Sequence, residues 1–393
     1  MGLWDAYDDT TQANNNVPPL NQPFNYGSTP IRGVNLGGWL IIEPFITPSF
    51  FSSIDPRFNV VDEYTLSEYL GASKAAAKLE QHYASFVNES TFREIRDAGL
   101  DHVRIPFGYW AVLTIKGDPF VPMISWRYLL RAIEYARKYG LRVKLDLHSV
   151  PGGANGWNHS GRQGVIGWLN GTDGDANAQK TLDIHQQMAT FFAQPRYKNI
   201  ITMYGLVNEP KMIVLDADKV IAWSAKAHDV VRTAGYQGYI IFGDGFRGLD
   251  TWKGEFSGLD KMVLDVHQYV IFGVGQISAT HTDKVKFACQ GWGPQMAASV
   301  STSTGFGPTI VGEWGQADTD CTQYLNNVGI GSRWEGTLNS GDPLTQTNVP
   351  SCPKGYTCSC KDANAPPSSY SKVYKQFLLM FAEGRFPPVD KSP

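Results

Sequence analysis

From residue 31 onward the chain alternates short β-branched runs with amphipathic helical stretches, and no other feature restricts its fold so strongly. The runs Ile31–Leu40, His102–Phe107, Arg142–His148, Ile201–Val207, Tyr239–Gly243, Met262–Val266 and Pro308–Gly312 have the composition of strands. Helical spacing lies between them. In Ser125–Tyr139 the residues Leu129, Ile133 and Ala136 share a face, and Gly140 stands where a C-cap belongs. Asp218–Thr233, with Gly235 just beyond it, and Ser369–Glu383 read in the same way. Consecutive strands joined by helices form a parallel sheet, since a parallel pair needs a long crossover. About 280 residues of this alternation without a linker predict an α/β fold with one closed (β/α)8 TIM barrel. The barrel is expected over residues 31–384, after an extended N-terminal segment (1–30) and before a short irregular tail (385–393).

The count is one strand short. After the helix ending at Glu383 only Gly384–Pro393 remain, with two adjacent prolines, and such a tail cannot supply an interior parallel strand and its covering helix. The eighth strand and helix are therefore expected to be missing or atypical, or the N-terminal segment fills the gap. An open seam would leave unpaired backbone and an apolar face, so reduced stability or weak activity is expected.

Composition narrows the function. Hydrophobic residues make up 42% and charged residues 18%, enough apolar content for a large core. A net charge of −3 offers no basic surface for nucleic acid, and no apolar run is long enough to span a membrane. The 11 Trp and 18 Tyr suit sugar faces, although any single ring is more often core. Of the Trp residues, only Trp157 and Trp314 are expected to line a site; Trp39, Trp110 and Trp168 read as packing. The first residues lack the charged and apolar regions of a signal peptide. Secretion is nevertheless the expectation, from sequons at Asn88, Asn158 and Asn170 and from the cysteines. All five, Cys289, Cys321, Cys352, Cys358 and Cys360, fall late in the chain, the last two flanking Ser359 in a Pro- and Gly-rich loop. Zinc spacing is absent, so a disulfide-stapled loop is expected, with one thiol left over. No HExxH, GxSxG or phosphate-loop pattern occurs, and neither metal nor cofactor is expected.

In a parallel barrel the reactive groups collect at the C-terminal strand ends. Those ends carry Arg104, His148, Asn208-Glu209-Pro210, His267 with Tyr269, and Glu313-Trp314. Two carboxylates at separate strand ends suit glycoside hydrolysis, in which one is protonated to assist departure and the other ionised to attack. Tyr269 is placed to hold Glu313 as the carboxylate, while His148 or His267 could tune Glu209.

These residues carry a resemblance. Arg-Gly-Val-Asn-Leu-Gly-Gly-Trp-Leu at 32–40 with Glu43-Pro44, Val-Asn-Glu-Pro at 207–210 and Val-Gly-Glu-Trp at 311–314 resemble glycoside hydrolase family 5, and within it the fungal exo-β-1,3-glucanase branch. The resemblance implies a retaining, metal-free glycosidase acting on oligosaccharide, β-glucan or plant glycoside, and a monomer that binds neither nucleic acid nor membrane. By position, Glu209 matches the acid/base and Glu313 the nucleophile. Asn208 matches the residue bonded to the sugar 2-hydroxyl; Arg104, His148, His267 and Tyr269 match the groups that orient the carboxylates. Glu43 matches an acceptor for glucose hydroxyls. Retention sets the expected carboxyl separation at about 5–5.5 Å.

Two departures qualify it. Where that branch has a Phe-Asp-Asn type triplet gripping the terminal glucose, this chain has Trp157-Asn158-His159. Loss of the acid opens an alternative, the neighbouring rutinosidase-type diglycosidases, which accept a 6-O-substituted glucose. If Asn158 lines the site it is expected to be unglycosylated. The family's eighth strand, with its Trp, and its final helix are the second departure. Their absence makes a truncated product and a catalytically impaired carbohydrate-binding protein further alternatives, and Cys289 is expected to be the thiol without a partner.

Overall fold

A computed structural model describes residues 6–341 and 346–384. The expected tail at 385–393 lies outside the described residues. Seven strands, β1 (Gly33–Asn35), β2 (His102–Gly108), β3 (Arg142–Ser149), β4 (Ile201–Gly205), β5 (Tyr239–Gly243), β6 (Met262–Gln268) and β7 (Thr309–Trp314), form one sheet in chain order. The fold is of the (β/α)8-barrel type, with seven of its strands among the described residues and no strand after β7. By its internal contacts the chain divides into two compact units, residues 1–248 with 255–265, and residues 249–254 with 266–393.

In the first unit β1 to β5 and the start of β6 pair in parallel. Every residue of β2 and β3 is buried, as expected for strands covered on both faces. The helices are α1 (Glu63–Leu70), α2 (Ala72–Ser85), α3 (Glu89–Asp97), α4 (Ile124–Lys138), α5 (Gly174–Phe192) and α6 (Ala217–Thr233). Local chemistry starts them: Asp62 accepts from Thr65 N over 2.8 Å at the head of α1, and Asp216 accepts from Asp218 N and Lys219 N before α6. The long strand predicted at 31–40 is cut to three residues because Gly38 turns with φ +63°, leaving Leu40 as an isolated bridge to Phe107.

Residues 6–30 form no strand and fill no gap in the sheet. They pack as irregular chain, with Ala13, Val17, Leu20 and Phe24 buried. Arg142, at the first position of β3, donates to the carbonyls of Pro18, Pro19 and Gln22 and lies over the Phe24 ring. The Tyr26 hydroxyl meets His102 Nε2 at 2.8 Å and donates to Thr202 Oγ1 at 2.7 Å. The segment thus lies across the N-terminal ends of β2, β3 and β4. Gly140, the predicted cap of α4, has φ +70°, and a Cβ there would sit 2.3 Å from the backbone of Gln12. Both its turn and its neighbour demand glycine.

Among the described residues the second unit holds the end of β6, β7, and five α-helices: α7 (Val274–Ile277), α8 (His281–Phe287), α9 (Gly293–Val300), α10 (Cys360–Ala363) and α11 (Lys372–Glu383). α11 begins later than predicted: Pro367–Ser369 form a separate 3-10 turn, Tyr370 is extended, and the Ser371 side chain caps the helix by accepting from Tyr374 N. Val270, Ile271, Ala288, Trp292, Phe377 and Phe381 form a hydrophobic core cluster in it. The long loop after β7 is closed by Cys321–Cys360 and Cys352–Cys358, and Cys289 is free, in line with the cysteine reading.

Candidate active site

The parallel register puts the first group of predicted residues at neighbouring strand positions. Arg104 of β2 pairs with Lys144 of β3, and Asp146 two residues on pairs with Gly205, the last residue of β4. Asn208 N donates to Leu147 O over 3.1 Å, which ties the turn after β4 to β3. In β3 the polar residues Lys144, Asp146 and His148 alternate with Val143, Leu145 and Leu147, so that the polar three share one face. That alternation, inside an otherwise apolar strand, was the signal for Asp146, which the sequence reading passed over. Lys144 forms an ion pair with Asp265 on the same buried side.

Asp146 organises the group. Its Oδ2 lies 3.0 Å from Arg104 Nη2 and 2.8 Å from His148 Nδ1. Burial alone would raise this carboxyl, but Arg104, His148 and Lys144 outweigh it and hold Asp146 below the ordinary carboxylate range. For His148, burial disfavours the cation, yet Asp146 and the charge of Glu43 reverse the balance and raise the imidazole above its usual value. Arg104 Nη2 also donates to Asn208 Oδ1 over 2.7 Å, turning the Asn208 amide nitrogen toward His148 Nε2 at 3.4 Å.

Glu209 follows in the left-handed conformation, φ +46°, a strained geometry for a residue with a Cβ and one that concentrates at functional sites. Its Oε2 lies 3.6 Å from His159 Nε2, and His159 Nδ1 lies 3.3 Å from His148 Nε2. Trp157 leans on the His159 ring at 5.5 Å and meets Phe246 edge-on at 5.3 Å. Asn158, between them, is buried, and its amide nitrogen has no hydrogen-bond partner among the described residues. Trp39, Trp110 and Trp168 are fully buried packing residues, as read from the sequence.

Glu43 is buried and accepts from Gly38 N over 2.8 Å. The adjacent Ile42 is held by a residue that sequence reasoning missed. Glu63 of α1 is completely buried and accepts from Ile42 N over 2.7 Å. Burial pushes its carboxyl up to about 8, so it is a neutral acid at pH 7. No local pattern distinguishes Glu63 from a solvent-facing first-turn glutamate.

In the second unit the predicted partners meet around Glu313. Tyr269 donates to Glu313 Oε2 over 2.9 Å, and His267 Nδ1 lies 3.5 Å from the same oxygen. Glu313 and Trp314 are the last two residues of β7 and are half-buried. A phenolic donor on one oxygen favours the ionised carboxyl.

The family model described as "Cellulase (glycosyl hydrolase family 5)" matches residues 70–333. The chain belongs to glycosyl hydrolase family 5. Arg104, His148, Asn208, Glu209, His267, Tyr269 and Glu313 lie within the matched span. Among curated relatives, "Probable glucan 1,3-beta-glucosidase D" of Aspergillus flavus is 57% identical over 386 residues, 98% of this chain and 46% of the relative. The Aspergillus niger protein of the same name is 56% identical over the same shares. The chain thus spans about half the length of the curated relatives it matches. Among solved structures, rutinosidase from Aspergillus niger aligns with a TM-score of 0.60 at 25% identity, covering 72% of this chain and 79% of that one. The crystal structure of AoRut aligns at 0.56 and 24%, covering 69% and 78%.

Proposed function

We propose that this family 5 chain is a retaining β-glycoside hydrolase that releases glucose from the non-reducing end of β-1,3-glucan or β-glucosides. Glu313 is the nucleophile and Glu209 the acid/base. The observation that carries the assignment is the hydrogen bond that reaches Glu313. Glu313 receives a hydrogen bond from Tyr269, which suits the group that must be an anion when it attacks. Glu209, in the Val-Asn-Glu-Pro stretch at 207–210, takes the acid/base role by its position in the family pattern.

In the first step Glu313 attacks the anomeric carbon while the Glu209 proton passes to the departing glycosidic oxygen. In the second, Glu209 takes a proton from water, and the resulting hydroxide equivalent displaces Glu313. Asn208, held by Arg104, offers its amide to the 2-hydroxyl. Glu43, His148, His267, Trp157, Asn158, His159 and Trp314 complete the sugar-binding set, and no metal or cofactor takes part. The curated relatives named glucan 1,3-beta-glucosidase support this substrate class.

Rutinosidase-type action is the second reading, favoured by the likeness to rutinosidase structures and by the absence of an acid in Trp157-Asn158-His159. Incubation with laminarin and with rutin, side by side, separates the two: glucose from laminarin supports the first, rutinose from rutin the second. No product from either would favour a carbohydrate-binding role. The two disulfides imply an oxidising compartment, so we read the protein as secreted and acting as a monomer. No helix among the described residues is long and apolar enough to cross a membrane.

A further inference from the structure

We propose that Asp62 and Glu63, at the head of α1, brace the loop of Glu43 against the Trp157-Asn158-His159 turn and so set how tightly the non-reducing glucose is held. The inference rests on the glycosidase reading above and names what fixes its sugar pocket. Both side chains are buried, so they act as positioning residues and touch no substrate.

Three consecutive residues hold two segments that are far apart in the chain. Asp62 Oδ2 accepts from Gln163 N over 2.6 Å, and Glu63 Oε2 accepts from Ile42 N over 2.7 Å. Tyr64 N donates to Gly161 O over 3.0 Å. A first-turn N–H has no acceptor within its own helix, and this one serves the turn instead. The Arg162 guanidinium lies over the Tyr64 ring at 3.9 Å.

Each held segment is closed on itself, so a hold at one point fixes the side chains that meet the sugar. In the turn, Gly164 N donates to Gly156 O over 2.9 Å, and Trp157 N donates to Asn155 Oδ1 over 3.0 Å. Beside Ile42, the Glu43 carbonyl accepts from Ile46 N and Thr47 N, and its carboxylate accepts from Gly38 N. The two segments converge on His148. His159 Nδ1 lies 3.3 Å from His148 Nε2, and the charge of Glu43 acts on the same imidazole.

Helix capping alone does not require this arrangement. Asp62 Oδ1 suffices for the cap, accepting from Thr65 N, while Oδ2 reaches across the fold. An exposed, ionised Glu63 would favour the helix N-terminus. It is buried instead, a placement that costs free energy and is offset by the bond to Ile42 N.

The test measures KM and kcat for β-1,3-glucobiose, and the inhibition constant of free glucose, in the wild type, Glu63→Gln, Glu63→Leu and Asp62→Ser. Glu63→Gln keeps an acceptor for Ile42 N. Asp62→Ser keeps an N-cap acceptor but has no second oxygen for Gln163 N. Glu63→Leu and Asp62→Ser should each raise KM and the glucose inhibition constant about tenfold, with a smaller change in kcat. Glu63→Gln should stay near wild type. KM does not depend on how much of the enzyme is folded, whereas apparent kcat does. A merely structural role would therefore lower kcat and the melting temperature with KM unchanged, and that result would overturn the proposal. An equal rise of KM in Glu63→Gln would overturn it too. If Glu63→Leu does not fold, Asp62→Ser carries the comparison. An active wild type with KM unchanged in the variants sinks the brace alone; a wild type that does not cleave glucobiose sinks the glycosidase reading, and the brace with it.

Discussion

Tyr269 and Glu313 are joined by a 2.9 Å hydrogen bond from the phenol to Oε2, between a residue just past β6 and one near the end of β7. The bond stabilises the charged carboxyl and fixes its rotamer. Tyr269→Phe should therefore lower kcat on β-glucosides by about tenfold, the usual worth of one hydrogen bond to a charged group. Glu313→Ala should abolish turnover, since no other group can form the covalent intermediate. Steady-state kinetics of both variants would check this; an unaffected Glu313→Ala enzyme would remove Glu313 from the mechanism.

The assigned roles also predict stereochemistry. Glu209→Ala should be slow on natural glycosides but regain rate on an activated aryl glucoside when azide is added. The product should be the β-glucosyl azide, formed by attack of the small anion on the glycosyl-enzyme. Proton NMR of the product decides, and an α-azide would contradict retention. A crystal structure should place the Glu209 and Glu313 carboxyls about 5–5.5 Å apart.

Glu63 makes stability fall with rising pH. Its ordinary carboxyl value is 4.5 and burial raises it to about 8 in the folded chain. Its contribution is fully present below about pH 4.5, where the unfolded chain is protonated too. It is then lost as pH rises through about 8, by up to about 1.4 kcal/mol per unit. Denaturant unfolding midpoints at pH 5 and pH 8 should differ less in Glu63→Gln than in wild type. An identical pH dependence in the two proteins would show that Glu63 does not titrate in this window.

Of the three sequons, Asn88 and Asn170 are exposed while Asn158 is buried. The Asn158 amide nitrogen, the atom a glycan would occupy, lies inside the protein. Expression in a glycosylating eukaryotic host followed by peptide mass spectrometry should find glycan at Asn88 and Asn170 and none at Asn158. Glycan at Asn158 would mean that the 157–159 turn is not placed as described.

Much of this was legible because it is local. Strand runs and helix faces depend on neighbours within a few residues, and all seven predicted strands are present, with boundaries shifted where Gly38 or a proline intervenes. The site motifs were equally readable, since Asn208-Glu209 and Glu313-Trp314 are contiguous in the chain. Asp146 could have been found from the polar alternation within β3. His159 was named from its place beside Asn158, but its contacts were not.

What the sequence by itself determined is the alternation of elements and the residues at their ends, because backbone periodicity and turn chemistry act over short separations. Only the tertiary structure decided which distant groups meet. It set Tyr26 against Thr202, Glu63 against Ile42, Cys321 against Cys360, and His159 between His148 and Glu209. Those contacts depend on the register of whole strands and on burial, which raises Glu63 and orders the His148–His159 pair. No local pattern encodes either, since both arise only when residues far apart in the chain exclude water together.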